Sequence, residues 1–539
     1  MKQDDPHYDA RRAEYYAQGW WRDEDLWTSM SRTALARPAQ PAFIGEDRAI
    51  TFGELLRDAE RFGRGLAARG INPGDVVILH ARNSVETVVA LVGCAWAGAV
   101  MAGVPPMFSA AQVASVVTNS AARAVVCLGD AKELAEALRG ARDAAGVTLV
   151  VAPDGVAGGE GVESWNSLLA AGDAWRSPRP TVGADDLALL AYSSGTTGAP
   201  KGVMHSANTV RYAIEQRALL HGVTADDICL VVGQFGFVGN VVFGLLAGAL
   251  LGTTSVLMRS WNADRALGLM ERHRVSYGLF LSTHVHDLLD SPRLAATDLS
   301  RFRHAAMGGL SAERRLEVRR RLCPYPLPGY GMSECLGNST CSADDAEDKL
   351  LNREGRPYPG TEIRIVDANG APLPAGEAGE VQVRGPSRTF GYYHAPELTR
   401  AALTGDGFFR TGDLGRLDAD GCFTFAGREK EIIRRGGVTI VPGEVEAVLI
   451  EHPRIDRVAI VALPDPRMGE RACACVITAD GAPVTLDELS AFLAARGVAR
   501  YQWPERVERF SEFPFTPSLK VRKQGLVDLV IARGRTEAS

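Results

Sequence analysis

The sequence predicts an α/β protein with a large N-terminal lobe of stacked α/β layers, a small β-rich subdomain after it, and a smaller α+β C-terminal lid domain. Three observations carry this prediction. From about Trp27 to Leu281, short β-branched segments alternate with helical patterns, and such alternation builds parallel sheets covered by helices. After about Arg356 the texture changes to short strands punctuated by turns such as Asp367-Ala-Asn-Gly370 and Asp418-Ala-Asp-Gly421, which argues a β-rich subdomain. Near Arg428 a further unit begins, and we divide the chain into residues 1–429 and 430–539.

In order along the first lobe, Thr51 to Gly70 has a helical pattern, Val76 to His80 reads as a strand, and the apolar stretch from Thr87 ends its helix at Pro105-Pro106. Ala124 to Leu128 and Val147 to Val151 are further strands. A second set follows with strands Leu187 to Tyr192, Asp227 to Val232, Ser255 to Met258 and Tyr277 to Leu281, and the helix Ala263 to Arg274 among them, so the layer pattern repeats. Ile228 to Met258 carries no charge and is long enough to be a membrane-span candidate. The glycines at 233, 236, 239, 244, 248 and 252 that interrupt it, with Gln234, Asn240, Thr253, Thr254 and Ser255, instead predict a buried strand, a glycine-bearing loop and a buried helix. Glu362 to Val366, Glu380 to Arg384 and Cys422 to Ala426 are the strands of the β-rich part. In the last unit, Pro442 to His452 is a helix with proline in its first turn and Pro453 past its end. Asp456 to Leu463 and Ala472 to Thr478 are strands, and Thr485 to Arg496 is a helix opened by a Thr485/Glu488 capping box.

Composition narrows the function classes. With 59 Lys+Arg against 65 Asp+Glu the net charge is −6, and 46% hydrophobic with 23% charged residues is ordinary for a soluble globular protein. The chain lacks the broad positive field that nucleic acid binding requires. The nine cysteines are scattered and include no CxxC pair, so buried, reduced thiols and a cytoplasmic location are expected. The charged and aromatic opening contains no apolar core of a signal peptide. His284-x-His286 has no third ligand in view and reads as a local hydrogen-bonding element, while Cys473-x-Cys475 reads as core filler.

The chemistry concentrates in Tyr192-Ser-Ser-Gly-Thr-Thr-Gly-Ala-Pro-Lys201-Gly202, placed just after a buried strand. Gly195 and Gly198 let backbone N–H groups approach phosphate oxygens, Ser193, Ser194, Thr196 and Thr197 add hydroxyl donors, and Lys201 adds positive charge. The spacing is not that of a Walker A loop, because Gly202 follows the lysine where Ser or Thr would be needed.

This loop resembles the signature of the adenylate-forming superfamily of acyl- and aryl-CoA synthetases, nonribosomal peptide adenylation domains and luciferases. The rest of that family's motifs follow in order: Gly308-Gly309, Tyr330-Gly-Met-Ser-Glu334, Gly355-Arg-Pro-Tyr-Pro-Gly360, Phe409-Arg-Thr-Gly-Asp413, Gly427-Arg428-Glu-Lys430, Gly436-Gly437, Pro442-Gly-Glu-Val-Glu446 and Thr516-Pro-Ser-Leu-Lys520. The resemblance spans about Trp27 to Lys523 and implies attack of a carboxylate on the α-phosphorus of ATP, giving acyl-AMP and pyrophosphate, then thioester formation with CoA. The alternative it leaves open is a stand-alone adenylation enzyme that loads a carrier protein's phosphopantetheine or passes the adenylate to another acceptor.

By the same resemblance, Glu334 holds Mg²⁺ against the phosphates, and Ser333 keeps the hydroxyl of the usual threonine. Asp413 accepts hydrogen bonds from the ribose, with Arg428 as a neighbouring donor, and Tyr330, Gly331 and the Gly308-Gly309 backbone contact the nucleotide. Lys520 reaches the carboxylate and α-phosphate from a mobile lid that pivots at Lys430, and Gly436 and Gly437 make room for the pantetheine arm. Leu519 in place of glycine and Val438-Thr439 in place of a polar pair are departures from the pattern. The acyl pocket falls at Phe237 and Met307. No acidic residue in the 228–258 stretch is available to pair with an amino group, so an ordinary amino acid is disfavoured, and short or medium fatty, alicyclic or aromatic acids remain. The Tyr15-Tyr16-Ala-Gln-Gly-Trp20-Trp21 opening is similar to that of aryl-AMP ligases and of short-chain or alicyclic acyl-CoA synthetases.

Overall fold

The computed structural model describes residues 6–143, 146–155, 162–193, 200–435, 438–515 and 521–536. Two large sheets form the N-terminal lobe. The first has seven strands in the order Val162–Ser164, Leu149–Ala152, Ala124–Leu128, Val76–Ala81, Val100–Val104, Leu187–Ser193 and Lys201–Ser206. Neighbours are parallel except the last pair, which is an antiparallel hairpin. All of Val76–Ala81 is buried, as expected of a central parallel strand covered on both faces.

The second sheet has nine strands, and its parallel centre runs Tyr325–Tyr330, His304–Met307, Tyr277–Phe280, Ile228–Val231, Thr254–Leu257 and Pro41–Ile44. One core joins the two sheets: Val77 and Leu79 from the first and Phe43, Val231 and Leu257 from the second pack with Phe52, Phe62, Leu91, Val242 and Leu246 of intervening helices. The helix Val85–Ala97 is apolar nearly all round and is capped by the Ser84 side chain and by left-handed Gly98, which is the pattern of a helix sandwiched between layers.

The charge-free 228–258 stretch forms the expected strand and buried helical segment. That segment runs Val238–Asn240, then a π-helix Val241–Leu246, then Ala247–Leu251. No described helix is long and apolar enough to cross a membrane.

The β-rich part is a four-stranded antiparallel sheet, Glu362–Val366, Gly379–Arg384, Phe409–Leu417 and Phe423–Arg428. The last strand starts and ends later than the sequence pattern suggests, because its register with Phe409–Leu417 continues through the pair Asp413↔Arg428.

In the smaller C-terminal domain the long hairpin Ile455–Asp465 and Gly469–Thr478 alternates its side chains between two cores. Ile460, Ala472, Ala474 and Val476 pack under the helices Pro442–Leu449 and Leu486–Ala495. Val461, Leu463, Cys473 and Cys475 pack with Phe510, Phe513, Leu526 and Val530, so the Cys-x-Cys pair is core as expected. The helix from Pro442 stops at Leu449, short of His452. The Thr485 capping box is only half formed: Thr485 accepts the Glu488 N–H at 3.2 Å, while the Glu488 carboxylate turns to Arg454 at 3.1 Å. A guanidinium outcompetes a single backbone donor for a carboxylate.

Candidate active site

The hairpin Leu187–Ser193/Lys201–Ser206 brings Ser193 opposite Lys201, so a seven-residue connection opens at the end of a buried strand. Ser194, Gly195, Thr196, Thr197 and Gly198 lie outside the described residues, as do Gly436, Gly437 and Lys520; of Ser193 only the backbone is described. Lys201 is half-buried, with its Nζ 5.8 Å from the Tyr392 ring centroid.

A strap through residues 389–393 lies across this hairpin. Met204 N–H donates to the Gly391 carbonyl at 3.0 Å, Tyr393 N–H to the Gly202 carbonyl at 2.8 Å, and Thr389 Oγ1 to the Met204 carbonyl at 2.8 Å. The same strap reaches Glu334: Thr389 N–H donates to the Glu334 carbonyl at 2.7 Å, and the Tyr392 hydroxyl donates to Glu334 Oε1 at 2.8 Å. Burial and the adjacent carboxylate both push the Tyr392 phenol pKa up, so it stays a donor. Tyr392 therefore links Lys201 to Glu334, a junction that no motif in the sequence announces.

Glu334 sits in a tight turn after the strand Tyr325–Tyr330, closed by Met332 and Cys335 exchanging backbone hydrogen bonds at 3.1 and 3.2 Å. Gly331 allows it: a Cβ there would stand 2.9 Å from the Gly337 nitrogen. His205 buttresses the turn from beneath, its Nε2 2.7 Å from the Ser333 carbonyl. A carbonyl only accepts, so Nε2 carries the proton. Complete burial drives the His205 pKa down to about 4, so the ring is a neutral strut.

Asp413 is buried at the start of the pairing with Arg428. Its Oδ2 receives the Tyr330 hydroxyl at 2.7 Å, and its Oδ1 lies 3.6 Å from Arg428 Nε. The Tyr330 ring packs against Phe423, with centroids 4.7 Å apart, and stacks at 6.1 Å on Phe425. Lys430 follows on a single 3₁₀ turn, Glu429–Glu431. Its pKa is lowered by partial burial, then by the charge of Arg428, with Lys201 adding to the effect and Glu431 and Asp413 opposing it. Lys201, Arg428 and Lys430 thus converge with Glu334 and Asp413 although up to 229 positions apart in sequence (430 − 201). Gly308 and Gly309, the latter left-handed with φ 71°, follow the strand His304–Met307, and Gly329 O would lie 3.6 Å from a Cβ on Gly308.

Of the two residues expected at the acyl pocket, Phe237 is half-buried at the N-terminus of the helical segment, and Met307 is buried at the end of its strand. Gly236 adopts φ 93°, and a Cβ there would meet the Pro105 nitrogen at 2.4 Å, so glycine seats this segment on the first sheet. Asn240 Nδ2 donates to Asn83 Oδ1 at 2.9 Å, and Asn83 donates to the carbonyls of Gly233 and Met258 at 2.8 and 2.9 Å. These amides tie the helical segment from Val238 to both sheets. His284 accepts the Leu281 N–H at 3.3 Å and packs 4.3 Å from Trp261, a local structural element as expected. Among the described residues no group of three or more His, Cys, Asp or Glu could hold a metal ion by itself.

Residues 30–393 match the AMP-binding enzyme family, and residues 444–520 match the C-terminal domain of AMP-binding enzymes. The chain is 34% identical to a salicyl-AMP ligase / salicyl-S-ArCP synthetase of Mycobacterium tuberculosis, covering 97% of this chain and 94% of that protein. It is 30% identical to the medium-chain fatty-acid–CoA ligase of Escherichia coli, covering 96% and 92% respectively. Among solved structures, ATP-bound MatB from Rhodopseudomonas palustris superposes with a TM-score of 0.83 at 26% identity, over 94% of this chain and 99% of that one.

Proposed function

The chain belongs to the AMP-binding enzyme family and is an ATP-dependent acid–CoA ligase, and we propose that the cluster of Lys201, Glu334, Asp413, Arg428 and Lys430 is where it adenylates its acid. The observation that carries the site assignment is the convergence of three cations and two carboxylates beside the phosphate-loop hairpin. A carboxylate and a triphosphate are both anions, so their encounter needs fixed positive charge and an in-line geometry.

Lys201 and the backbone of residues 193–198 receive the polyphosphate, Asp413 accepts the ribose hydroxyls with Tyr330 holding it in place, and Arg428 donates alongside. Gly308, Gly309, Gly331 and Ser333 line the nucleotide's path. Lys520, brought in by the C-terminal domain hinged at Lys430, stabilises charge at the α-phosphorus as the carboxylate oxygen bonds to it and pyrophosphate leaves. Rotation at Lys430, the start of the 430–539 domain, then exchanges Lys520 for the Gly436-Gly437 hairpin, and the thiol attacks the acyl-AMP with release of AMP.

The donor set fits magnesium. Glu334 Oε1 receives Tyr392, Oε2 receives no hydrogen bond from the described residues, and an isolated carboxylate with substrate phosphates and water is how a small hard cation is held. When bound, Mg²⁺ would screen phosphate charge. The apolar setting of Phe237 and Met307 supports a short or medium fatty, alicyclic or aromatic acid.

Exchange of labelled pyrophosphate into ATP, dependent on added acid and lost in Lys520→Ala, tests the first step. Formation of acyl-CoA by mass tests the second. Acyl-AMP without thioester in the presence of CoA would favour a carrier-protein acceptor, the reading that likeness to the salicyl-S-ArCP synthetase supports.

A further inference from the structure

Behind the proposed acyl pocket is a cavity of about 30 Å³, lined among others by Arg217, His221, Phe243, Tyr277, Leu279 and Ala306. That is room for roughly two waters or one small polar group. It adjoins the pocket along the strands: Ala306 precedes Met307, Leu279 pairs with Ala306, and the Leu279 side chain comes within 4.0 Å of where a Cβ on Gly239 would stand, next to Val238. The π-helix Val241–Leu246 puts Phe243 on the other side, and π-turns recur where a helix is adapted to a ligand.

Arg217 is the anomaly in this cavity. It comes from the helix Ala207–Leu220, and its guanidinium stands 4.6 Å from the Phe243 ring centroid. The neighbouring buried Arg211 donates to two backbone carbonyls and to Asn208, and Arg315 pairs with Glu354. The Arg217 side chain has no hydrogen bond or ion pair with any described residue. Burial lowers its pKa, and the groups whose charge it feels are Tyr358, Cys229 and Tyr277, with no carboxylate among them. Nearby His304, stacked 5.4 Å from Tyr277, is buried with its Nε2 unpartnered. Arg217 is half-buried, and a guanidinium drawn partly out of water without a counter-charge is costly and is retained where something supplies that charge.

We infer that Arg217 is a specificity residue that receives a second carboxylate at the far end of the acid, so that the acids preferred by this chain are dicarboxylic. This rests on the ligase reading above and deepens it. The cavity size sets the shape: the tail ends in a single small acceptor, and no long alkyl chain continues past it. The cation–π contact with Phe243 holds the guanidinium plane in place for a bidentate carboxylate.

The test is acid-dependent pyrophosphate exchange with matched pairs: straight-chain monocarboxylic and α,ω-dicarboxylic acids of four to ten carbons, benzoate against 1,4-benzenedicarboxylate, and 4-hydroxybenzoate as the neutral acceptor. The wild type is expected to favour one diacid over its monoacid partner by at least about tenfold in kcat/KM. Arg217→Met should abolish that preference while its rate with the monoacid stays within about threefold, and Arg217→Lys should retain part of it. Monoacids favoured by the wild type, or a diacid preference untouched in Arg217→Met, would overturn the subsite while leaving the ligase assignment standing. Preference for 4-hydroxybenzoate would overturn the anionic assignment. No exchange with any acid would instead overturn the ligase reading itself, and the subsite with it. The wild-type panel decides the matter even where Arg217→Met does not fold.

Discussion

Tyr392→Phe isolates the link between the Leu187–Ser193/Lys201–Ser206 hairpin and Glu334. The substitution removes one hydroxyl. It keeps the ring under Lys201 and the backbone anchors, namely the bridge to Val203 and the N–H donated to Thr399 Oγ1 at 2.9 Å. What disappears is the 2.8 Å hydrogen bond to Glu334 Oε1. A bond to a charged acceptor contributes about 1.5–3 kcal/mol. Glu334 is only half-buried, so water replaces part of the loss and the lower end applies. About 1.5 kcal/mol is roughly a tenfold change in rate. Because the carboxylate matters most once charge has built on the phosphates, the loss should fall on kcat with KM for ATP little altered. Pyrophosphate exchange at saturating acid with varied ATP measures both. A variant within twofold of wild type, with unchanged melting temperature, would refute the claim that Tyr392 positions Glu334.

Other perturbations probe other parts of the same argument. Burial holds His80, His205 and His284 down to about 4 and His304 to about 3. Their folded pKa values lie below the unfolded one, so the stability they preserve is complete above about pH 6.5 and declines as the pH falls toward 4. Each group costs about 2 kcal/mol by pH 5, and urea midpoints should drop steeply over that range, less so in His205→Gln. Glu354→Ala strands the buried Arg315 guanidinium and frees the Phe425 N–H that Glu354 accepts at 2.7 Å. It should destabilise by about 3–5 kcal/mol, read as a lower thermal midpoint. Tyr330→Phe and Asp413→Asn should each raise KM for ATP, by about tenfold or more for Asp413→Asn, and a double-mutant cycle should show coupling of at least about 0.5 kcal/mol. Additive effects would mean that the 2.7 Å bond between them does not orient the carboxylate.

Much of this molecule is legible from the chain alone because the signals are local. Val76 to His80 reads as a strand and the Asp-Gly turn after Asp418 marks the β-rich sheet, whereas the helix that the pattern carries on to Pro105-Pro106 stops at left-handed Gly98, ahead of the strand Val100–Val104. The ordered motifs single out Lys201, Glu334, Asp413, Arg428 and Lys430 from the sequence alone. Boundaries were less legible: the strand reaching Arg428 is extended by its pairing with Asp413, and Glu488 leaves its capping position for Arg454, each outcome set by a partner far away in sequence.

What tertiary structure alone decided are the residues that act through such partners. Tyr392 carries no motif and gains its place only because a strap from residues 389–393 crosses the hairpin. His205 stands four residues past Lys201 in sequence, yet its role depends on the Ser333 carbonyl 128 positions on. Arg217 is one arginine among many in the sequence until folding lays Phe243 and Tyr277 around it. Periodicity and turn chemistry are properties of neighbours along the chain. The charge environment and hydrogen-bond partner of a side chain are set by which distant segments the packed core brings within a few ångströms.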